Sequence, residues 1–176
     1  MNFVAFDFET ANAKRNSACS VALTVVENNQ VIDELYSLIN PQASFYWRNT
    51  QIHGIREKDV LDAPTFAELW PHISNFFTKD RLIVAHNANF DCSVLSHTLQ
   101  LDNLTVPNYL VLDTLTTSRN LLDLDNYKLN TICSNLDITL KHHHNALDDS
   151  RACADILLYQ IRNYGIDKIS NYIKLK

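Results

Sequence analysis

The chain has 176 residues, 46% of them hydrophobic, and a formal net charge of −5. That length suits one core and a single domain over residues 1–176, and no Pro/Gly/Ser-rich run marks a linker. The negative balance excludes a global pull toward nucleic-acid phosphate, and the two glycines, Gly54 and Gly165, are too few for a P-loop or a GxGxxG dinucleotide fingerprint.

Met1 to Phe8 is apolar but interrupted by Asp7, has no basic flank, and is too short for a signal segment or a membrane span, so a cytoplasmic location is expected. Residues 3–8 read as a buried strand. Residues 19–26 and 31–39 read as two more, joined by a turn at Glu27-Asn28-Asn29-Gln30 into an antiparallel meander. Thr65 and Glu68 form a capping-box pattern that opens a helix carrying Phe66, Leu69, Trp70, Ile73, Phe76 and Phe77 at helical spacing, with Pro71 placed to kink it. Short apolar runs at 82–85 and 109–112 have the character of strands covered on both faces. Helices are predicted over 90–100, 114–122, 129–136 and 146–163. The fold class is therefore α/β, a mixed sheet of a three-stranded antiparallel meander plus parallel strands, flanked by helices. Cys19, Cys92, Cys133 and Cys153 lack CxxC spacing and read as small core residues.

Asp7-Phe8-Glu9, His86-Asn87-Ala88-Asn89-Phe90-Asp91 and His144-Asn145-Ala146-Leu147-Asp148-Asp149 concentrate the chemistry. Carboxylates gathered from distant parts of a chain repel one another, so such a cluster calls for cations. Alternation along a strand puts Asp7 and Glu9 on one side and Phe8 on the other. Asp91 falls in the first turn of a helix, where free N–H groups favour an anion. His86, Asn87 and Asn89 either hold the same loop or contact substrate, with His86 read as structural. Asn145 and Asp148 fit an N-cap and N3 pair, which gives Asp148 a capping role. Asp149 instead shares a helix face with Ala152, Cys153 and Ile156, and its inward charge needs a cation opposite. His144, on the approach to that helix, is placed to reach a water. The run His142-His143-His144 invites a transition-metal reading, but adjacent residues of an extended segment point to different sides, so His142 and His143 are expected to face solvent.

At these residues the chain resembles the DEDDh, or DnaQ-like, 3′→5′ exonuclease family, from the first strand to the helix ending near Asn163. Asp7-Phe8-Glu9-Thr10 is similar to the family's first motif, Asn87 through Asp91 to its second, and His144 with Asp149 to its third. Ile52-His53-Gly54-Ile55 resembles the family's HGI turn, with Arg56 where many relatives carry Thr. The resemblance implies a ribonuclease-H-like sheet in which Asp7, Glu9, Asp91 and Asp149 hold two divalent cations, Mg²⁺ or Mn²⁺, and His144 acts as the base. It further implies that Phe8, Thr10, His53, Asn87 and His144 position a terminal nucleotide. The expected substrate is the 3′ end of a single-stranded nucleic acid, DNA ahead of RNA, with nucleoside 5′-monophosphate as product. RNA trimming by an oligoribonuclease-type enzyme, or an accessory proofreading module acting with a DNA polymerase, are the alternatives. The short stretch after the last predicted helix favours a free-standing enzyme over such a module.

Overall fold

A computed structural model describes residues 1–176. A six-stranded sheet in the order β3-β2-β1-β4-β5-β6 forms its centre. β1 (Phe3–Thr10), β2 (Ala18–Glu27) and β3 (Gln30–Leu38) make the expected meander. Its second hairpin, between β2 and β3, turns at Asn28 and Asn29, with φ of 51° and 60°, because a tight turn matching strand twist needs positive φ at both central residues and Asn tolerates it. β4 (Leu82–Ala85) lies parallel to β1, and β5 (Leu110–Asp113) parallel to β4. β6 (Lys174–Leu175) closes the edge antiparallel to β5.

The helices are α1 (Trp47–His53), α2 (Phe66–Ile73), α3 (Ala88–Leu101), α4 (Thr114–Leu121), α5 (Leu129–Asn135), α6 (Ala146–Tyr164) and α7 (Ile166–Ser170). Thr65 and Glu68 form the capping box at the start of α2. Beyond Pro71 the α-helix stops at Ile73 and continues as a 3-10 turn over Ser74–Phe76, so the sequence expectation of one helix reaching Phe77 is corrected. Pro71 supplies no N–H to the ladder, and the tighter turn still carries Phe77 into the core.

The period-2 pattern of β1 sorts its side chains between two layers. Val4, Phe6 and Phe8 join the core under α2 and α3, where Phe6 and Phe77 pack edge to face at 5.6 Å. Phe3 and Ala5 join the core under α6, with Cys153, Ala154 and Leu157. Each fully buried Leu, Ile or Phe in these layers contributes roughly 1.5–3 kcal/mol. Cys19, Cys92, Cys133 and Cys153 are all buried and unpaired, as expected. α6 is further tied to β2 by Thr24 Oγ1 and Ser150 Oγ at 2.9 Å, and to α4 by Gln160, whose amide donates to Ser118 and accepts from Thr117. The Ser150 contact holds the start of α6 against β2, with Asp149 beside the carboxyl end of β1. No helix is long and apolar enough to cross a membrane.

Candidate active site

Continuing the side-chain alternation of β1 past Phe3 and Ala5 brings Asp7 and Glu9 out on the α6 side. The pairing of β1 with β2 shifts register between Glu9 and Thr10, the kind of irregularity that re-aims side chains at a strand end. Asp149, in the first turn of α6, meets the pair: one carboxylate oxygen from each of Asp7, Glu9 and Asp149 lies within 4.8 Å of the others. Asp91, in the first turn of α3, enters from the neighbouring strand, and its Oδ1 accepts the Phe8 N–H at 3.1 Å. All four line one cleft of about 1230 Å³ with Phe8, Thr10, His53, Asn87 and His144.

This concentration of negative charge is barely offset: Arg15 acts on Asp91 only as a minor influence, and no Lys or Arg pairs directly with any of the four acids. The ion pairs of the fold, His142–Asp148, Arg151–Glu34 and Arg151–Asp155, leave all four acids out. Burial pushes the Glu9 carboxyl up to about 8, helped by repulsion from Asp149 and Asp91. Asp91 is also pushed up to about 8 by burial, against the stabilising N–H of Phe8. Asp149 rises to about 7 for the same reason, with the His144 N–H opposing, and Asp7 is raised well above the carboxylate range by burial and then by Asp91. Asp149 is only 5% exposed; its Oδ2 accepts the His144 N–H at 3.0 Å, and its buried Oδ1 has no partner. An all-carboxylate donor set with an orphaned buried oxygen fits hard divalent cations.

The polar residues around the acids divide by what they touch. Nδ1 of His53 accepts the Ile55 N–H at 3.0 Å, so Nε2 carries the proton and donates it to the Thr10 carbonyl at 3.2 Å. Both nitrogens are thus used within the protein, and the ring presents a face rather than a donor to the cleft. Gly54, with φ 78°, ends α1 in the left-handed conformation that glycine adopts without strain, and returns its N–H to the Thr50 carbonyl. His86 is tied into the fold: Nε2 donates to the Tyr127 carbonyl and Nδ1 meets Thr114 Oγ1, each at 3.0 Å. Asn87 caps α3 from the left-handed region at φ 68°, without using its side chain as the cap. Its amide therefore stays exposed at the cleft.

Two sequence expectations need correction. Asn145 does cap α6, accepting from Leu147 and Asp148 N–H groups, but Asp148 does not complete a capping box. Its Oδ2 instead receives both the backbone N–H and the ring Nδ1 of His142 at 2.9 Å, clamping the preceding turn. His142 and His143 are both exposed, as expected, but the consecutive histidines do not all diverge. His144 has φ 68°, and this left-handed bend stacks the His143 and His144 rings at 3.9 Å; only His142 points away.

Sequence reasoning passed over Asp113. Standing at the end of β5, it caps α4 by accepting from Leu115, and the same Oδ1 accepts the Asn87 and Ala88 N–H groups that open α3. An acid between an apolar run and Thr114 is an N-cap signal that could have exposed it. Asn49 on α1, and Arg119, Asn126, Tyr127 and Lys128 around the α4–α5 connection, complete the cleft walls without any local motif to announce them.

The RNase_T family, described as an exonuclease family, matches residues 4–157, and the chain belongs to it. It is similar to the DNA polymerase III PolC-type protein of Caldanaerobacter subterraneus subsp. tengcongensis, 37% identical over 96% of this chain and 12% of that protein. The corresponding protein of Thermotoga maritima is 30% identical over 99% of this chain and 13% of its own length, so the chain spans only a small part of these relatives. Among solved structures, Exonuclease X in complex with 5′ overhanging duplex DNA shares the fold at a TM-score of 0.79 and 21% identity, covering 97% of this chain and 98% of that one. E. coli Exonuclease I in complex with a dA16 oligonucleotide does so at 0.83 and 15% identity, over 97% of this chain and 42% of that one. The six-stranded mixed sheet is thus of the ribonuclease-H-like exonuclease kind.

Proposed function

We propose that residues 1–176 act as one 3′→5′ exonuclease domain that removes nucleotides from the 3′ end of single-stranded DNA and releases nucleoside 5′-monophosphates. The observation that carries this reading is the convergence of Asp7, Glu9, Asp91 and Asp149 beside His144 in a cleft, with Asp149 Oδ1 unpartnered, in a member of an exonuclease family. Similarity to segments of PolC-type polymerases supports DNA over RNA, and names a DNA polymerase as the partner to test. The compartment in this reading is the cytoplasm.

Asp7, Glu9, Asp91 and Asp149 would hold two divalent ions, Mg²⁺ or Mn²⁺. When bound, these supply Lewis acidity toward the scissile phosphate and toward the attacking water. The Phe8 N–H orients Asp91, and the His144 N–H orients Asp149, so two of the four carboxylates are set by backbone before any ligand arrives. Partial loss of hydration at the cleft wall lowers the pKa of the His144 ring, which is then neutral at pH 7 and able to accept the proton of the attacking water. The water oxygen bonds to phosphorus as the bond to the 3′ oxygen breaks, and that oxygen leaves with a proton as the new 3′ hydroxyl. The His53 ring face, the Asn87 amide and the β1 backbone at Phe8 and Thr10 position the terminal nucleotide.

The test is a panel of DNA and RNA oligomers carrying 5′ or 3′ labels, incubated with Mg²⁺ or with Mn²⁺. Mononucleotide release from 3′ ends, faster on DNA and absent in Asp149→Asn, is the expected result. Failure to release mononucleotides from any oligomer with either metal overturns the reading.

A further inference from the structure

We propose that His143, His144 and Asp149 form a second kind of metal site, one for a borderline-soft divalent cation such as Zn²⁺, whose occupation turns the nuclease off. Consecutive residues in an extended strand cannot share an ion because their side chains diverge. Here the backbone is not extended. His144 sits at φ 68°, an uncommon conformation for a residue with a side chain, and the bend brings two adjacent imidazoles face to face, 3.9 Å between centroids and 20° from parallel. One nitrogen of each ring and one oxygen of Asp149 lie within 4.8 Å of each other.

A second observation also marks the Asp149 carboxylate as short of a partner. Asp149 is 5% exposed and its buried Oδ1 makes no hydrogen bond, an arrangement that is expensive without a cation or a donor opposite. Neither the His143 nor the His144 ring is held by a hydrogen bond to a protein group, whereas His142 is drawn away by Asp148. Two imidazoles and a carboxylate are a ligand set that suits zinc and leaves a fourth tetrahedral position open. With bonds of about 2.0–2.1 Å, tetrahedral ligand atoms stand roughly 3.3 Å apart, so exposed rings already within 4.8 Å need only side-chain rotation to close. Mg²⁺, which takes oxygen ligands and holds its waters, gains nothing from the two nitrogens.

Such an ion removes two working parts at once. It occupies the His144 ring, leaving no base for the attacking water, and it draws Asp149 away from the other carboxylates. The inhibitory consequence rests on the function proposed above; the binding site itself does not. His143 has no part in the hydrolytic reading, which makes it the residue that separates the two metal sites.

The experiment titrates Zn²⁺ into the full chain against a chromophoric chelator, in parallel for wild type, His143→Gln and His142→Gln. Oligonucleotide cleavage in Mg²⁺ is then followed with and without added Zn²⁺. Wild type and His142→Gln should bind alike, while His143→Gln binds at least about tenfold more weakly. In Mg²⁺ alone all three should cleave within about twofold of one another, and only His143→Gln should resist zinc. Equal zinc affinity in wild type and His143→Gln overturns the site. Equal weakening by His142→Gln overturns it as well, because the two rings point to different places. If zinc binds through His143 but no chain releases nucleotides in Mg²⁺ or Mn²⁺, the hydrolytic reading fails and the metal site stands.

Discussion

Replacing Asp149 with Asn should stabilise the metal-free protein at pH 8 while abolishing its nuclease activity. The folded chain keeps the Asp149 proton up to about pH 7, whereas an unfolded aspartate releases it near 3.9. Folding stability therefore falls as pH rises between those values, and the loss is complete above the upper one. Three pKa units correspond to about 4 kcal/mol at 1.36 kcal/mol each. Halving this for water entry and relaxation leaves about 2 kcal/mol, or roughly 4–8 °C in Tm for a chain of this size. Asn loses no hydrogen bond in exchange: its oxygen can keep the His144 N–H, and its NH₂ replaces the unpartnered Oδ1 with a neutral group. Thermal melts in chelator at pH 5 and pH 8, repeated with Mg²⁺ or Mn²⁺, provide the assay. The variant should melt higher than wild type at pH 8, with the gap closing toward pH 5. Saturating metal should reverse the order, since ligand at 100 times its Kd adds about 2.7 kcal/mol to the chain that binds it. A variant that melts below wild type at pH 8 in chelator would refute the view that Asp149 carries an uncompensated buried charge.

Asp148→Asn, one residue away, should retain catalysis within a few-fold, because an amide oxygen can still accept the His142 N–H; equal loss at positions 148 and 149 in a cleavage assay would mean that the two carboxylates do not differ in role. His144→Ala should lower kcat by about 10²–10⁴-fold while calorimetry shows Mg²⁺ or Mn²⁺ binding intact, and a parallel loss of metal affinity would contradict its reading as a base. Asp113→Ala removes the cap of α4 and the acceptor for Asn87 and Ala88. A stability loss of about 0.5–2 kcal/mol in urea is expected, together with slower cleavage as the turn before Asp91 loosens, and unchanged kcat would show that this turn holds itself.

What the sequence disclosed, and what it concealed, follow from how local each signal is. The meander, the two covered strands and the long helices were readable because an apolar run or a 3.6-residue stripe records which face is buried. The paired acids on β1 followed from strand alternation alone. α1 was not legible: none of its residues is buried and its N-cap residue, Tyr46, makes no side-chain cap, so it has neither stripe nor start signal. β6 exists through pairing with Leu110 and Val111, more than sixty residues away, and nothing in Lys174-Leu175 records that. At the start of α6 the spacing of Asn145 and Asp148 was right for a box, but a tertiary partner, His142, took the carboxylate. The left-handed turn at His144 had no glycine to betray it, which is why the stacked imidazoles could be found only in three dimensions.

The long sequence separation of the acids has a consequence for the birth of the protein. Glu9 leaves the ribosome some 140 residues ahead of Asp149, roughly 7–28 s at 5–20 residues per second. Until α6 docks across β1 and β2, no fragment of the chain contains the assembled carboxylates. The carboxylate cluster therefore arrives in one step with the docking of α6, and before that step Asp7 and Glu9 have no Asp149 beside them with which to share a cation.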